Sequence, residues 1–195
     1  MKRNVLNLVA IVATMLLLTG VVVAQDKKKF QEVYTGTLYG MSGGGVSTGF
    51  NLSIRDYTSD EEVQQYLATL AEGDQDDVLK KVRDLDLGRL SVTGQTGRNL
   101  IIVRKGQMPD GKIRIAVAFE RWQTIREVRG GYRSQDYPWG LMEIVLNADG
   151  KKGSGTFIAA CKIDLKRDKK TGKYALEVEN FGTYPHKVMG VMKRS

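Results

Sequence analysis

Short segments with alternating apolar and polar residues are the feature that most restricts the fold of this chain. Phe50, Leu52 and Ile54 alternate with polar residues, and Ile113, Ile115, Val117 and Phe119 repeat the pattern. Successive side chains of a β-strand point to opposite faces, so this period predicts half-buried strands. The candidate strands are residues 33–40, 47–56, 89–94, 99–105, 112–120, 123–129, 140–147, 155–166, 173–181 and 186–192.

Turn-forming sequences separate these candidate strands. They include "TGQTG", "MPDG", "NADG" and "KKTGK", in which Gly, Asp and Pro favour tight reversals. Short connections join neighbouring strands in antiparallel hairpins, because parallel strands need long crossovers. The pattern therefore predicts a mainly β (α+β) fold, an antiparallel barrel or sandwich of about 8–10 strands.

One segment, residues 59–86, has helical periodicity. Ser59 and Glu62 form a capping-box pattern, and Gly73 is a natural stop for the first helix. Asp74 can cap a second helix. The apolar stripes are Val63, Tyr66, Leu67 and Leu70 in the first helix and Val78, Val82 and Leu85 in the second. We expect a helical hairpin, inserted between the second and third strands, that packs on a sheet or over a barrel end.

The N-terminus has the pattern of a secretory signal peptide. Lys2 and Arg3 precede an apolar run, and Val22 and Ala24 are the small residues that a cut before Gln25 requires. This predicts a signal peptide over residues 1–24, a flexible lead-in over 25–32, a single domain over 33–195, and a periplasmic or extracellular location. An uncleaved membrane anchor is the alternative, because the apolar run is long enough to span a bilayer.

The chain is basic and has a single cysteine. Removing Lys2 and Arg3 with the leader lowers the formal charge from +8 to +6. A basic surface favours peripheral contact with an anionic membrane surface, whereas export argues against nucleic acid as a partner. One Cys forms no intramolecular disulfide. Alternation in "TFIAACKIDL" predicts that Cys161 points into the core on the same face as Phe157.

The glycine-rich stretch "YGMSGGGVSTGF", residues 39–50, is the nearest approach to a phosphate loop. Val46 occupies the position of the Lys that such a loop needs, and a strand follows where a helix is required. We interpret the stretch as a flexible connection between strands.

Catalytic and metal-binding patterns are sparse. His186 is the sole histidine, no nucleophile-and-base pattern accompanies it, and the acidic residues lack EF-hand spacing. We therefore predict a protein that is not an enzyme, with no cofactor and no metal. A hydrolase with spatially paired carboxylates stays open, because such pairing is not visible in a sequence.

The segment "RGGYRSQDYPWG" gathers aromatic and arginine side chains, which are favoured at binding sites. Together with two residues just upstream it supplies the candidate ligand-binding residues Arg121, Trp122, Tyr132, Arg133, Asp136, Tyr137 and Trp139. Alternatively, the aromatic rings plug one end of the β structure while the charged groups remain solvated.

The strings "IRDYTSDEE", "RIAVAFER", "DYPWGLMEIVL" and "GSGTFIAACKI" resemble a group of exported bacterial proteins of unknown function. The resemblance spans roughly residues 33–192. It implies a shared fold and signal-led export, and it brings no activity, cofactor or catalytic residue.

We expect a noncatalytic binding protein of the cell envelope that holds an apolar or amphipathic ligand inside its β structure, since closed β architectures can leave such a cavity. The alternatives are a structural or protein-interaction module of the envelope, with an envelope protein as partner, and the hydrolase already mentioned.

Overall fold

A computed structural model describes residues 32–40, 47–123, 125–130, 133–167, 174–182 and 185–194. The predicted signal peptide, half of the glycine-rich stretch (residues 41–46) and Tyr132 lie outside the described residues. The strands are β1 Glu32–Tyr39, β2 Ser47–Ile54, β3 Gly88–Val92, β4 Arg98–Asn99, β5 Ile102–Gln107, β6 Ile113–Glu120, β7 Trp139–Leu146, β8 Lys152–Arg167, β9 Tyr174–Asn180 and β10 His186–Lys193. The helices are α1 Asp60–Glu72, α2 Gln75–Val82 and α3 Ile125–Gly130, and Arg133–Asp136 forms a 3-10 turn. Within these ranges, no helix is both long and apolar enough to cross a bilayer.

The strands form one antiparallel sheet in the order β4-β3-β2-β1-β10-β8-β7-β6-β5, and β9 pairs with β8. The two ends of this order, β4 and β5, are consecutive in the chain. Between them, Leu100 donates its N–H to Gly88 O at 2.9 Å, and Ile101 donates to Ala118 O at 2.9 Å. The sheet therefore curls into a barrel-like form, and the predicted antiparallel α+β fold with a helical hairpin between β2 and β3 is confirmed.

Two hydrophobic clusters occupy the two faces of this sheet. The inner cluster contains Tyr34, Leu38, Phe50, Leu52, Ile54, Leu90, Val92, Leu100, Val103, Ile115, Val117, Phe119, Met142, Ile144, Leu146, Phe157, Val188 and Val191. The outer cluster lies between the hairpin and strands β5 to β9 and contains Leu70, Val78, Leu79, Val82, Ile101, Ala118, Trp139, Ile158, Cys161, Leu176 and Val178. Strands in this half of the sheet are thus buried on both sides, and burial of apolar surface on each side stabilises the fold.

A bulge in β8 changes the predicted placement of the single cysteine. Trp139 of β7 pairs with Cys161, but Leu141 pairs with Ile158, so β8 contains one extra residue between these pairs. The extra residue reverses which face each later side chain occupies. Phe157 accordingly lies in the inner cluster and Cys161 in the outer one, and the prediction that they share a face is wrong. The thiol is fully buried, and burial raises its pKa.

The candidate strand at residues 123–129 is also wrong, because residues 125–130 are helical. Strands β6 and β7 pair directly with each other along their whole length, which leaves residues 121–138 as a connection outside the ladder. The backbone N–H of Arg121 donates to Pro138 O at 2.9 Å and closes the base of this connection. Without a neighbouring strand, its backbone groups are satisfied more readily within a helical turn.

The carboxylate of Glu32 joins distant strands at one end of the interior. It accepts hydrogen bonds from Lys193 of β10 at 2.6 Å, from Lys105 of β5 at 3.0 Å, and from the hydroxyl of Tyr57. Burial alone would raise the pKa of Glu32, but the hydrogen bonds from Lys193, Tyr57 and Lys105 outweigh it and lower the pKa to about 2. Burial and the nearby Glu32 raise the pKa of Tyr57 and Tyr34.

We expect Glu32→Gln to lower the free energy of unfolding at neutral pH by about 2 kcal/mol, since it removes charge-assisted hydrogen bonds. A carboxyl with a lowered folded-state pKa stabilises the protein above its unfolded pKa, which is 4.5, and this contribution disappears as the pH falls to about 2. Denaturant unfolding between pH 7 and pH 2 should therefore show a flatter pH dependence for the variant than for the wild type. Glu72→Gln, at an exposed position of α1, is the matched control, and equal curves for Glu32→Gln and wild type would contradict the assignment.

Candidate functional site

Both helices of the hairpin begin at the caps that the sequence predicts. The Ser59 hydroxyl accepts from Glu62 N–H at 3.1 Å, and the Glu62 carboxylate accepts from Ser59 N–H at 2.7 Å. The Asp74 carboxylate accepts from the backbone N–H groups of Asp76 and Asp77 at the start of α2. These bonds satisfy amides that a helix start leaves unpaired, so both helix starts are set locally.

Helix α2 is the firmly docked half of the hairpin. Its Val78, Leu79 and Val82 side chains are buried in the outer cluster. The buried Gln75 side chain donates to Asp136 O at 2.8 Å and accepts from Ile163 N–H at 3.0 Å. One side chain thus connects α2 with both the 3-10 turn and strand β8.

Helix α1 is docked less completely and leaves an apolar groove beneath it. Of its apolar stripe only Leu70 is buried, whereas Val63, Tyr66 and Leu67 stay half-buried. The groove encloses about 60 Å³ between α1 and the outer face of the sheet. It is lined by Val63, Tyr66, Leu67, Leu70, Val78, Ile102, Arg104, Ile163 and Leu176. Apolar side chains therefore face each other across a gap that they do not fill.

Arg104 provides the polar group at this groove. Its side chain is 10% exposed, donates from Nη1 to Thr58 O at 2.6 Å, and forms an ion pair with Asp60 through Nη2. The buried Nε atom has no hydrogen-bond partner. Thr58 also pairs with β5, since its N–H donates to Val103 O at 2.8 Å and its hydroxyl accepts from Val103 N–H at 3.0 Å. The start of α1 is thereby anchored to β5 beside the groove.

Aromatic side chains pack closely around Phe119 in the interior of the β structure, where the sequence predicts the ligand. Phe119 stacks on Phe157 with ring centroids 6.1 Å apart and contacts Trp122 edge-on at 5.3 Å. Opposite Phe119, residue 140 is glycine, and a Cβ atom there would lie 2.2 Å from the phenyl ring. The ring therefore occupies space that only a glycine leaves free. We place the candidate site in the groove beneath α1, and a ligand inside the β structure stays a prediction.

The sequence-predicted ligand residues divide between different environments. Arg121 is 5% exposed and donates to Ser134 O at 2.8 Å and to Trp122 O at 3.0 Å, with Glu127 as its ion-pair partner. Trp122 is half-buried against the inner cluster and donates to Thr96 O. Arg121 therefore holds the connection between β6 and β7 together.

The remaining members of that set lie further along the connection. Trp139 is fully buried in the outer cluster, and Tyr137 is 5% exposed, with its hydroxyl bonded to Glu179 at 2.5 Å. This hydrogen bond raises the pKa of Tyr137, with burial and the charge of Glu179 adding to the effect. Arg133 and Asp136 are exposed. The described members of the set thus differ in exposure, and their role in ligand binding stays a prediction.

The partly buried carboxylates whose pKa values are perturbed, Glu32 and Glu143, have cationic partners. Glu32 contacts two lysines, and the half-buried Glu143 has Arg114 as its partner at 3.5 Å. Four aspartates, Asp74, Asp76, Asp136 and Asp164, line an open polar cleft of about 540 Å³ between α2, the 3-10 turn and β8. Over the residues that the structure describes, no three His, Cys, Asp or Glu side chains converge to hold a metal ion.

Sequence reasoning missed the groove and Arg104. The apolar stripe of α1 was visible, but its partial burial depends on how closely the helix approaches the sheet. Arg104 lies in the candidate strand 99–105, in which the sequence pattern marks no residue as a binding residue. Comparison of the chain with protein families, curated proteins and solved structures finds no match. The resemblance to exported proteins therefore stays a prediction.

We expect Gln75→Ala to loosen the hairpin from β8 by removing two hydrogen bonds, which together contribute about 1–3 kcal/mol. Backbone hydrogen exchange should accelerate at Ile163, whose N–H loses its acceptor. Gln64→Ala, at an exposed position of α1, removes a similar side chain without touching the sheet and should leave this exchange rate unchanged. An Ile163 amide that remains equally protected in Gln75→Ala would show that the contact does not hold the hairpin.

Proposed function

We propose that this protein is a noncatalytic binding protein of the cell envelope that holds an apolar or amphipathic ligand in the groove beneath α1. The observation that supports the proposal is the half-buried stripe of Val63, Tyr66 and Leu67, which faces apolar residues of β5, β8 and β9 across the groove. An apolar chain placed there would remove both surfaces from water, and the gain is about 25 cal/mol for each Å² buried.

Binding requires the groove to widen. Pockets that hold small organic ligands measure about 300–1,000 Å³, whereas the groove encloses about 60 Å³. The two helices are unequally attached, since α2 buries Gln75, Val78, Leu79 and Val82 and α1 buries only Leu70. We infer that the part of α1 beyond its anchored start moves outward while α2 stays in place, so that a ligand chain replaces contacts between α1 and the sheet.

The proposed location is outside the inner membrane, by export with the predicted signal peptide. A basic protein that carries amphiphiles would meet them at a membrane surface, and anionic headgroups would attract its positive charge. Both statements rest on the sequence, because residues 1–31 lie outside the described part of the chain.

The alternative of a protein-interaction module remains a prediction with weaker structural support. Tyr39, Met189 and Met192 are exposed apolar side chains on the adjacent strands β1 and β10. They lie on a sheet face beside Thr35 and Thr37, and they enclose no cavity that the structure describes. The groove is concave and apolar, and small-molecule sites usually have these two properties. The carboxylate-based hydrolase also remains a prediction.

A tryptophan that fills the groove should block ligand binding. We expect Val63→Trp to bind the neutral fluorescent probe N-phenyl-1-naphthylamine at least about tenfold more weakly than the wild type, which corresponds to a loss of about 1.4 kcal/mol. Titration of the probe, followed by its fluorescence enhancement, measures the dissociation constant. Native mass spectrometry of the mildly purified wild type should in addition detect a copurified amphiphile.

Ala68→Trp is the matched control, because Ala68 is on the exposed side of the same helix. It should bind the probe as the wild type does. Equal affinity in Val63→Trp and wild type would remove the groove as the site, and absence of probe binding and of copurified amphiphile in the wild type would overturn the proposed function.

A further inference from the structure

A cluster of charged side chains lies on the outer face of the sheet next to the groove. In the strand register, Arg104 of β5 is opposite Ala116 of β6, and Ala116 is opposite Glu143 of β7. Arg114 is two residues before Ala116 on β6 and is opposite Gly106 of β5. Neighbouring strands lie about 5 Å apart, and residues two positions apart on a strand lie about 7 Å apart. Arg104, Arg114 and Glu143 therefore surround the small, buried Ala116.

This Arg104–Arg114–Glu143 cluster is continuous with the apolar groove. Ile102 and Arg104 both line the groove and are two positions apart on β5, so their side chains share the outer face. A chain that lies in the groove against Ile102 and continues along β5 would reach Arg104 and then Arg114. The two regions thus have the arrangement that an amphiphile needs, with an apolar part and a polar part in line.

Several polar atoms of the cluster are buried without a hydrogen-bond partner. These atoms are Arg104 Nε, Arg114 Nε and Nη1, and Glu143 Oε2. The distance of 3.5 Å between Arg114 Nε and Glu143 Oε2 makes an ion pair but not a hydrogen bond. The three side chains are only 10–12% exposed. An unpaired buried donor is unfavourable, because it has lost its hydrogen bonds to water, and an acceptor supplied by a ligand would recover part of this cost.

Glu143 is a weak counter-ion for Arg114. Burial raises the pKa of its carboxyl group, and the charge of Arg114 opposes this rise only in part. Among the unpaired atoms of the cluster, donors on the two arginines outnumber the one acceptor on Glu143. An oxyanion is the group that complements such donors, because carboxylate and phosphate oxygens accept directed hydrogen bonds from guanidinium groups.

We propose that the Arg104–Arg114–Glu143 cluster binds the oxyanion headgroup of a single-chain amphiphile whose apolar part lies in the groove. The ligand class is therefore an anionic amphiphile, and this inference rests on the proposed function of the groove. Arg104 keeps its bonds to Thr58 and Asp60 and offers Nε, whereas Arg114 offers Nε and Nη1. Arg114 is accordingly the residue that distinguishes an anionic from a neutral headgroup.

The test compares two probes that share a chain and differ in the headgroup. Isothermal titration calorimetry measures the affinity for decanoate and for decan-1-ol, each below its aggregation limit. The wild type should bind decanoate about tenfold more tightly, since charge-assisted hydrogen bonds are about twice as strong as neutral ones. Arg114→Met should abolish this difference and keep the affinity for decan-1-ol. Glu143→Gln should increase the preference for decanoate, because it removes the competing carboxylate.

Arg89→Met is the matched control, since Arg89 is an exposed arginine on β3, away from the groove, and it should behave as the wild type. Equal binding of the two probes by the wild type overturns the headgroup assignment and leaves the groove as a site, whereas binding of neither probe overturns the proposed function itself. A decanoate preference that persists in Arg114→Met also overturns the assignment. If Arg114→Met misfolds and loses decan-1-ol binding, Glu143→Gln provides the test instead. A preference for decanoate over decan-1-ol that is unchanged in Glu143→Gln overturns the proposal.

Discussion

At Leu100 and Ile101, one extended segment forms backbone hydrogen bonds with both ends of the sheet. Leu100 pairs with Gly88 on the β3 side, and Ile101 pairs with Ala118 on the β6 side. Adjacent residues of an extended chain point to opposite faces, so Leu100 fills the inner cluster and Ile101 the outer cluster. The curl of the sheet, the inner cluster and the surface on which the hairpin packs all depend on this change of partner. Glu32 reinforces the same curl, because its carboxylate connects β1 and β10 with β5.

The outer face of the sheet has two unlike halves, and the site that we propose depends on this difference. On β1, β2 and β3 the outward residues are mostly small and polar, such as Thr35, Asn51 and Ser91. On β5 to β8 the outward residues include the apolar Ile102, Leu141 and Ile158. The hairpin covers these residues only in part, because α2 packs closely and α1 does not. The groove lies where this cover is incomplete, and the site that we propose combines it with the adjoining Arg104 and Arg114 as its apolar and polar parts.

The residues of the proposed site are not adjacent in the chain, and a linear pattern does not group them. The segment around Tyr137 and Trp139 attracts attention because it concentrates aromatic and charged residues, yet Trp139 is fully buried and Arg121 bonds to the backbone of its own connection. Arg104 and Arg114 are separated from Tyr66 and Leu67 by more than thirty positions in the chain. Only the pairing of β5 with β6 and the position of α1 bring these residues to one surface. The aromatic content of a segment thus predicts burial as readily as it predicts binding.

Local chemistry alone determined the two caps at Ser59 and Asp74, the turns and most of the strands, because these features depend on hydrogen bonds and side-chain alternation within a few residues. Tertiary structure decided the features that depend on contacts between elements that are distant in the chain. The bulge in β8 moved Cys161 to the outer cluster, and the direct pairing of β6 with β7 made residues 125–130 helical instead of a strand. Tertiary structure also decided the groove, which exists because α2 packs closely on the sheet and α1 packs more loosely. Such differences arise between surfaces that are distant in the chain, and no local pattern of residues contains them.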